Sequence, residues 1–290
     1  MAELATPSPE RSLDTDAVGL RLGRGLPNLA AFGDKLFVET AARARPQARV
    51  LWLNHRWFAE QGLDSLDAST KAQLHEWLIA DFAFETAEAD SADRTVRADR
   101  YGGTGGATHG GSGRCAVVGA FNAKGVGRTP LVPEGVDWTH AHGLLSLDEA
   151  VREAISAEIA HAELPYGAVP VIAILDGGGE YWTPEGQSHR RAILVRPNFV
   201  RPAYAERSIF FGTSGKLGSD QQIDAERVRD VVRGLTGPRP ARLAANLSFD
   251  RLEEMFGRFA FQLGYGRAHR LWQGRFLTSN LSIDGALADF

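Results

Sequence analysis

Residues 101–130 read YGGTGGATHGGSGRCAVVGAFNAKGVGRTP, and the reading of this stretch decides the fold. Seven of its first fourteen residues are glycine. Glycines lack a Cβ, so a cluster of them lets backbone N–H groups approach phosphate oxygens closely. The apolar run Cys115-Ala-Val-Val118 predicts a short strand. Gly119 is then a turn, and Lys124 falls on the next extended segment before a Gly/Pro-rich stretch.

Three kinds of phosphate loop compete. A Walker A loop needs a Lys-Ser or Lys-Thr pair after its glycines, and none follows here. A Rossmann loop links an apolar strand to a helix. Here the preceding residues, RTVRADR, are charged, and the following ones read as strand. The remaining type joins two strands and folds over a nucleotide, as in kinases, with a lysine on a nearby strand and a glutamate on the next helix. Lys124 and the helix opening at Ser146 supply both. Glycine content alone fits a plain surface loop equally well, so the ordered set carries the reading.

Outward from this stretch, Ser146 and Glu149 have capping-box spacing. Leu147, Val151, Ala154, Ile155, Ile159 and Ala162 predict the apolar face of the helix that follows. Residues 169–175 predict a strand, 176–179 (DGGG) a turn and 191–196 a second strand, together a hairpin. Residues 211–219 mark a boundary. Helices are expected over 223–235, ended by Gly237-Pro238, and around Leu252 to Leu263. On the N-terminal side, 1–20 reads as a loose arm, 51–84 as helical and 87–100 as a charged linker. Strands precede helices without βαβ alternation, which makes the fold class α+β.

Composition narrows the function. The formal charge of −4 gives no basic field for non-specific nucleic-acid binding. The single cysteine, Cys115, rules out an internal disulfide framework and a cysteine-based zinc site. No stretch reaches the ~20 apolar residues of a membrane-spanning helix, and the N-terminus has no apolar signal core. A soluble, cytoplasmic protein is expected.

Four blocks of the chain resemble the selenoprotein O family of protein adenylyltransferases. They are Gly113-Arg114, then Lys124-Gly-Val-Gly127-Arg-Thr-Pro130, then Val151-Arg-Glu153, and the tail from Thr278-Ser-Asn280 to Asp289-Phe290. The early Leu26-Pro27, Asn54 and Gly62-Leu63-Asp64 also echo that family. The resemblance implies a protein-kinase-like fold that holds ATP in a flipped orientation and transfers AMP to protein hydroxyls. It implies an N-terminal helical extension and linker over 21–100, a β-rich lobe over 101–215 and the start of a helical lobe over 216–290.

Residue by residue, the resemblance places Gly111, Gly113 and Arg114 in the loop over the nucleotide and Gly143 near it. Lys124 contacts phosphates and Glu153 holds Lys124, with Glu149 and Glu158 as rivals by geometry. Arg196 and Arg207 bind phosphate, with Arg201 competing for the second place. Asn280 and Asp289 ligate Mg²⁺, with Asp284 as a nearby carboxylate. The implied ligands are Mg²⁺ and ATP, and the implied partner is a protein or peptide acceptor.

The chain departs from the family where it matters for chemistry. Ser279 stands at the position of the family's base aspartate, and a serine hydroxyl is no carboxylate base at neutral pH. His142-Gly143 replaces an Asp-Gly, and Leu144 replaces an arginine. A six-residue enlargement lies around residues 133–138. Alternative expectations are therefore an impaired nucleotide-binding pseudoenzyme, or a peptide-tailoring enzyme on the same fold. A chain stopping at Asp289-Phe290 is expected to be a partial sequence, incomplete in its helical lobe.

Overall fold

A computed structural model describes residues 13–102, 110–132, 136–208, 217–236, 241–271 and 276–290. Its strands are β1 (Phe37–Ala44), β2 (Arg49–Leu53), β3 (Phe84–Thr86), β4 (Arg94–Asp99), β5 (Cys115–Val118), β6 (Phe121–Lys124), β7 (Leu145–Ser146), β8 (Ala173–Trp182) and β9 (Ser188–Pro197). Its helices are α1 (Leu13–Leu22), α2 (His55–Glu60), α3 (Ala68–Phe82), α4 (Trp138–Ala141), α5 (Leu147–Glu163), α6 (Leu217–Thr236) and α7 (Ala241–Ala268). The strands form one sheet in the order β2-β8-β9-β6-β5-β4-β1-β3, with β7 pairing β9, and every pairing is antiparallel. The α+β class holds.

The sheet curls until its two ends meet. Arg45, just past β1, donates from Nε to the Gly177 carbonyl on β8 at 2.5 Å and from Nη2 to Gly178 O at 2.7 Å. Glu85 on β3 accepts from Arg45 Nη1 at 2.7 Å and from Arg191 Nη1 on β9 at 2.8 Å. Thr86 N–H donates to Val126 O at 2.7 Å. Edge strands present unpaired backbone groups, and here arginine forks cap them.

One face of the sheet is filled by α1, α2 and α3. Trp57, Phe58, Leu74, Trp77, Leu78, Phe82 and Phe121 form a continuous buried cluster. Trp77 meets Phe121 and Phe82 edge to face at 5.2 and 5.3 Å between ring centroids. Each such side chain contributes roughly 1.5–3 kcal/mol by leaving water. Helix α5 covers the opposite face with Ala150, Ala154, Ala157 and Ala160, against Leu145, Ile174 and Leu194.

Several expectations are corrected. Residues 13–20, read as loose arm, lie in α1, where Gly19 sits so close to Trp77 that an added Cβ would stand 2.7 Å from the indole nitrogen. Residues 51–53 belong to a strand, because Asn54 caps α2 only afterwards by accepting from the Trp57 N–H. The charged stretch 94–99 is β4: Val96 and Ala98 alternate inward with Arg97 outward, a period of two that net charge conceals. Residues 176–179 do not turn but bulge within β8, which continues to Trp182. The capping box is present, with Ser146 Oγ accepting from the Glu149 N–H at 3.1 Å. Of the boundary at 211–219, residues 211–216 lie outside the described residues, as do Gly237-Pro238 and 103–109 of the glycine-rich stretch.

The apolar face expected for α5 is overturned in part: Ala154 is buried and Leu147 packs against the core, but the large β-branched residues point outward. Val151, Ile155 and Ile159 are 41, 56 and 51 % exposed. The buried stripe is Ala150, Glu153, Ala154, Ala157 and Ala160. Alanines allow the helix axis to lie close to the sheet, and only from that distance does the short Glu153 side chain reach a strand lysine.

A candidate anion and metal site

Lys124 ends β6, opposite Cys115 on β5 and Leu194 on β9. Arg196 lies two residues beyond Leu194, so its side chain leaves the sheet on the same face as Lys124. That face is the one α5 covers. Lys124 Nζ donates to Glu153 Oε2 at 2.5 Å, and Arg196 Nη1 to Glu153 Oε1 at 3.3 Å. All three side chains are almost fully buried. The rivals of Glu153 are committed elsewhere: Glu149 accepts from Arg114 Nη2 at 2.7 Å, and Glu158 from Asn54 and Arg56.

The far end of the chain closes the site. Val169 N–H donates to Leu287 O at 2.8 Å, and Ile283 N–H to Val200 O at 2.9 Å, which fixes the tail beside the exit of β9. Residues 281–287 fold back on themselves, so Ala288 N–H donates to Asn280 O at 2.9 Å. Asn280 and Asp289, nine positions apart in sequence, become neighbours. Asp289 has φ 61, a left-handed conformation that aspartate tolerates better than most residues. Its Oδ1 accepts from Lys124 Nζ at 2.8 Å and from Arg196 Nη1 at 2.9 Å, and its Oδ2 lies 3.5 Å from Arg201 Nη1. Burial pushes this carboxyl up, but Arg196, Lys124 and Arg201 together outweigh it and hold it well below the usual carboxylate range.

Arg201, not Arg207, joins the cluster. Its guanidinium lies over the Phe199 ring at 4.2 Å and Tyr101 at 5.1 Å, and donates to the Ser279 carbonyl. Asp99 lies 3.8 Å from Arg201 Nε and accepts from Tyr204 OH at 2.7 Å. Burial raises the Tyr101 hydroxyl to about 12. Arg207 instead donates from Nε to Asp224 on α6 at 2.6 Å. Asp284 is exposed, with its carboxylate accepting from the Ala286 N–H, away from the cations. Ser279 Oγ donates to Asn280 Oδ1 at 3.3 Å.

The described end of the glycine-rich stretch is sewn to the segment after β6. Gly125 N–H donates to Arg114 O at 2.8 Å, Thr129 N–H to Gly113 O at 3.0 Å, and Thr129 Oγ1 to Ser112 O at 2.7 Å. Gly111 has φ 150, and a Cβ there would stand 2.2 Å from Asp99 O. Gly143 has φ 71 and would place a Cβ 2.2 Å from the Gly127 carbonyl carbon, so neither position admits a side chain. His142 accepts the Leu144 N–H at Nδ1 at 2.9 Å. Burial and the nearby Arg114 cation lower its pKa. Burial raises the Cys115 thiol, which makes it a poor nucleophile.

The donor set suits phosphate oxygens. Arg196 Nε and Nη2 are buried with no hydrogen-bond partner among the described residues, as are Asn122 Oδ1 and Ser112 Oγ. Buried polar groups normally find partners, and unpaired guanidinium nitrogens beside a lysine call for acceptor oxygens. No group of three or more His, Cys, Asp or Glu side chains gathers among the described residues. Asn280 and Asp289 alone do not enclose a metal. They fit Mg²⁺, which keeps waters and takes one or two protein oxygens when phosphates supply others.

Of the residues expected from the sequence, Lys124, Glu153, Arg196 and Asp289 are in direct contact, and Asn280 is tied to the segment beside Asp289 by its carbonyl bond to the Ala288 N–H. Sequence reasoning missed the Asp99–Tyr204–Arg201 network because Asp99 ended a presumed linker. It also missed the Arg114–Glu149 pair. Among the described residues no helix is long and apolar enough to cross a membrane. A scan against protein-family models finds no match for this chain, and a search of curated proteins finds none either.

Proposed function

We propose that the chain is a Mg²⁺-dependent, ATP-using transferase on a protein-kinase-like fold, and that it moves AMP from ATP to hydroxyls of a protein or peptide. The observation that carries the proposal is the convergence of Lys124, Arg196 and Arg201 on the Asp289 carboxylate. The strand–glycine stretch–strand unit and a helix bearing a lysine-bound glutamate support the kinase-like reading. The choice of AMP over phosphate rests on the resemblance of the four sequence blocks.

Within this reading each residue has a task. Lys124, Arg196 and Arg201 hold phosphate oxygens, the guanidinium forks fixing direction as well as charge. Glu153 fixes Lys124 and Arg196 from behind. Gly111, Gly113, Arg114 and Gly143 shape the backbone beside the nucleotide, with Glu149 anchoring Arg114. Asn280 and Asp289 would hold Mg²⁺, which when bound supplies charge neutralisation for the triphosphate. The acceptor oxygen attacks the α-phosphorus, and pyrophosphate leaves.

Ser279 favours a second reading, a nucleotide-binding pseudoenzyme. Its hydroxyl lies against Asn280 and offers no base for the acceptor proton. Phosphorus transfer depends chiefly on positioning and charge stabilisation, so loss of a base weakens activity without abolishing it. Incubation with α-labelled and γ-labelled ATP separates the readings. Label passing to protein from the α position alone supports AMP transfer. Transfer from γ alone makes the protein a kinase, and ATP binding with no transfer makes it a pseudoenzyme.

A further inference from the structure

The charges around Asp289 are nearly balanced before any ligand arrives. Lys124, Arg196 and Arg201 carry the positive charge, and Glu153, Asp289 and Asp99 the negative. Of these, Glu153 sits behind the cations on α5, and Asp99 is buried with Tyr204 on the far side of Arg201. Asp289 is different. It lies in a loop-borne segment, is the most exposed of the three carboxylates, and touches all three cations. A triphosphate arriving alone meets cations whose charge Glu153, Asp99 and Asp289 together already balance. Magnesium arriving alone meets a carboxylate already engaged by three cations.

We infer that Asp289 is the resident counter-ion of the phosphate-binding cations, so that metal and nucleotide each bind tightly only in the presence of the other. The inference rests on the nucleotide reading above and concerns its regulation. Asp289 exchanges its cation partners for the metal in the same event that hands those cations to phosphate oxygens, and no charge is left unpaired at either step. The unpaired Nε and Nη2 of Arg196 give the incoming oxygens a first foothold that Asp289 does not occupy. By linkage, the factor by which metal tightens nucleotide equals the factor by which nucleotide tightens metal.

Calorimetric titration of ATP into the full chain, with EDTA or with MgCl₂, tests this. The wild-type chain should bind ATP at least about ten-fold more weakly without metal, within the usual range of coupling between sites. Asp289→Asn keeps the shape but not the charge. It should bind metal-free ATP about ten-fold more tightly than wild type and lose the response to metal, a coupling-sized change. Asn280→Ala should lose that response without the gain in metal-free affinity. Metal-free affinity in Asp289→Asn equal to or below that of wild type overturns the inference while leaving the nucleotide reading intact. If Asp289→Asn does not fold, Mg²⁺ titrated into wild type with and without inorganic tripolyphosphate decides, and equal metal affinities overturn it. Absence of ATP binding even with metal overturns the nucleotide reading, and this inference with it.

Discussion

Lys124 Nζ stands 2.8 Å from Asp289 Oδ1, although 165 positions separate the two residues in the chain. The contact joins the end of a central strand to the last turn of the tail. It adds a buried charge contact to the backbone bonds Val169–Leu287 and Ile283–Val200 that hold the tail. Glu153, on the other side of Lys124, completes a line in which a single ammonium satisfies two carboxylates from different elements.

Removing that ammonium should therefore act on stability as well as binding. Lys124→Met leaves the buried Glu153 and the partly buried Asp289 with Arg196 as their main shared partner. Breaking a buried pair from one side destabilises by about 3–5 kcal/mol. Urea denaturation should show a loss of this order, and Lys124→Met together with Glu153→Gln should recover part of it. A double variant as unstable as the sum of the two singles would speak against a direct coupling.

Acid should loosen the same site. The folded-state pKa of Asp289 is depressed, so its contribution is complete above the ordinary aspartate value of about 3.9 and is withdrawn as pH falls through the lower folded value. Denaturation midpoints between pH 7 and pH 3 should fall less steeply with acid for Asp289→Asn than for wild type. Parallel profiles would show that Asp289 is not held ionised by its neighbours.

The two candidate arginines should separate cleanly. Arg201→Gln should weaken ATP binding by about ten-fold or more, because charge-assisted hydrogen bonds contribute about 1.5–3 kcal/mol each. Arg207→Ala should change ATP affinity little and act on stability through Asp224, with which it pairs. The opposite ranking would return Arg207 to the phosphate site.

Helix α5 offers a test of which face is inside. Ala157→Leu places bulk where 1 % of the residue is exposed and should destabilise by about 1–3 kcal/mol. Ile155→Ser, on the exposed stripe, should stay within about 0.5 kcal/mol of wild type. Thermal unfolding of both variants decides, and a larger loss at Ile155 would restore the face expected from the large apolar residues.

Much of the local structure is legible in the sequence, because it depends on neighbours in the chain. The strand after the glycines, the turn at Gly119, the Ser146 cap and the helix it begins are all set within a few residues. Where local pattern misleads, a competing physical term explains it. In β4 the three charged residues, Arg94, Arg97 and Asp99, outnumber the inward Val96 and Ala98 and mask the period of two. In α5 the bulky side chains outrank the alanines on any hydrophobicity scale, yet close packing on a sheet favours the small residues. At 176–179 three glycines suggest a turn, whereas Gly178 and Gly179 use their positive φ in a bulge within β8 that Arg45 holds.

The sequence by itself determined the chemical inventory: a glycine-rich stretch, a strand lysine, a capped helix with four glutamates, and an asparagine and aspartate nine positions apart near the end. Only the tertiary structure decided which glutamate faces Lys124, which arginine joins Arg196, and that Asp289 closes over all of them. Those choices depend on how a curled sheet brings β6, β9 and the tail to one face, and on how closely α5 can approach it. Such distances between segments far apart in sequence follow from packing, and a linear pattern of residue types does not encode them.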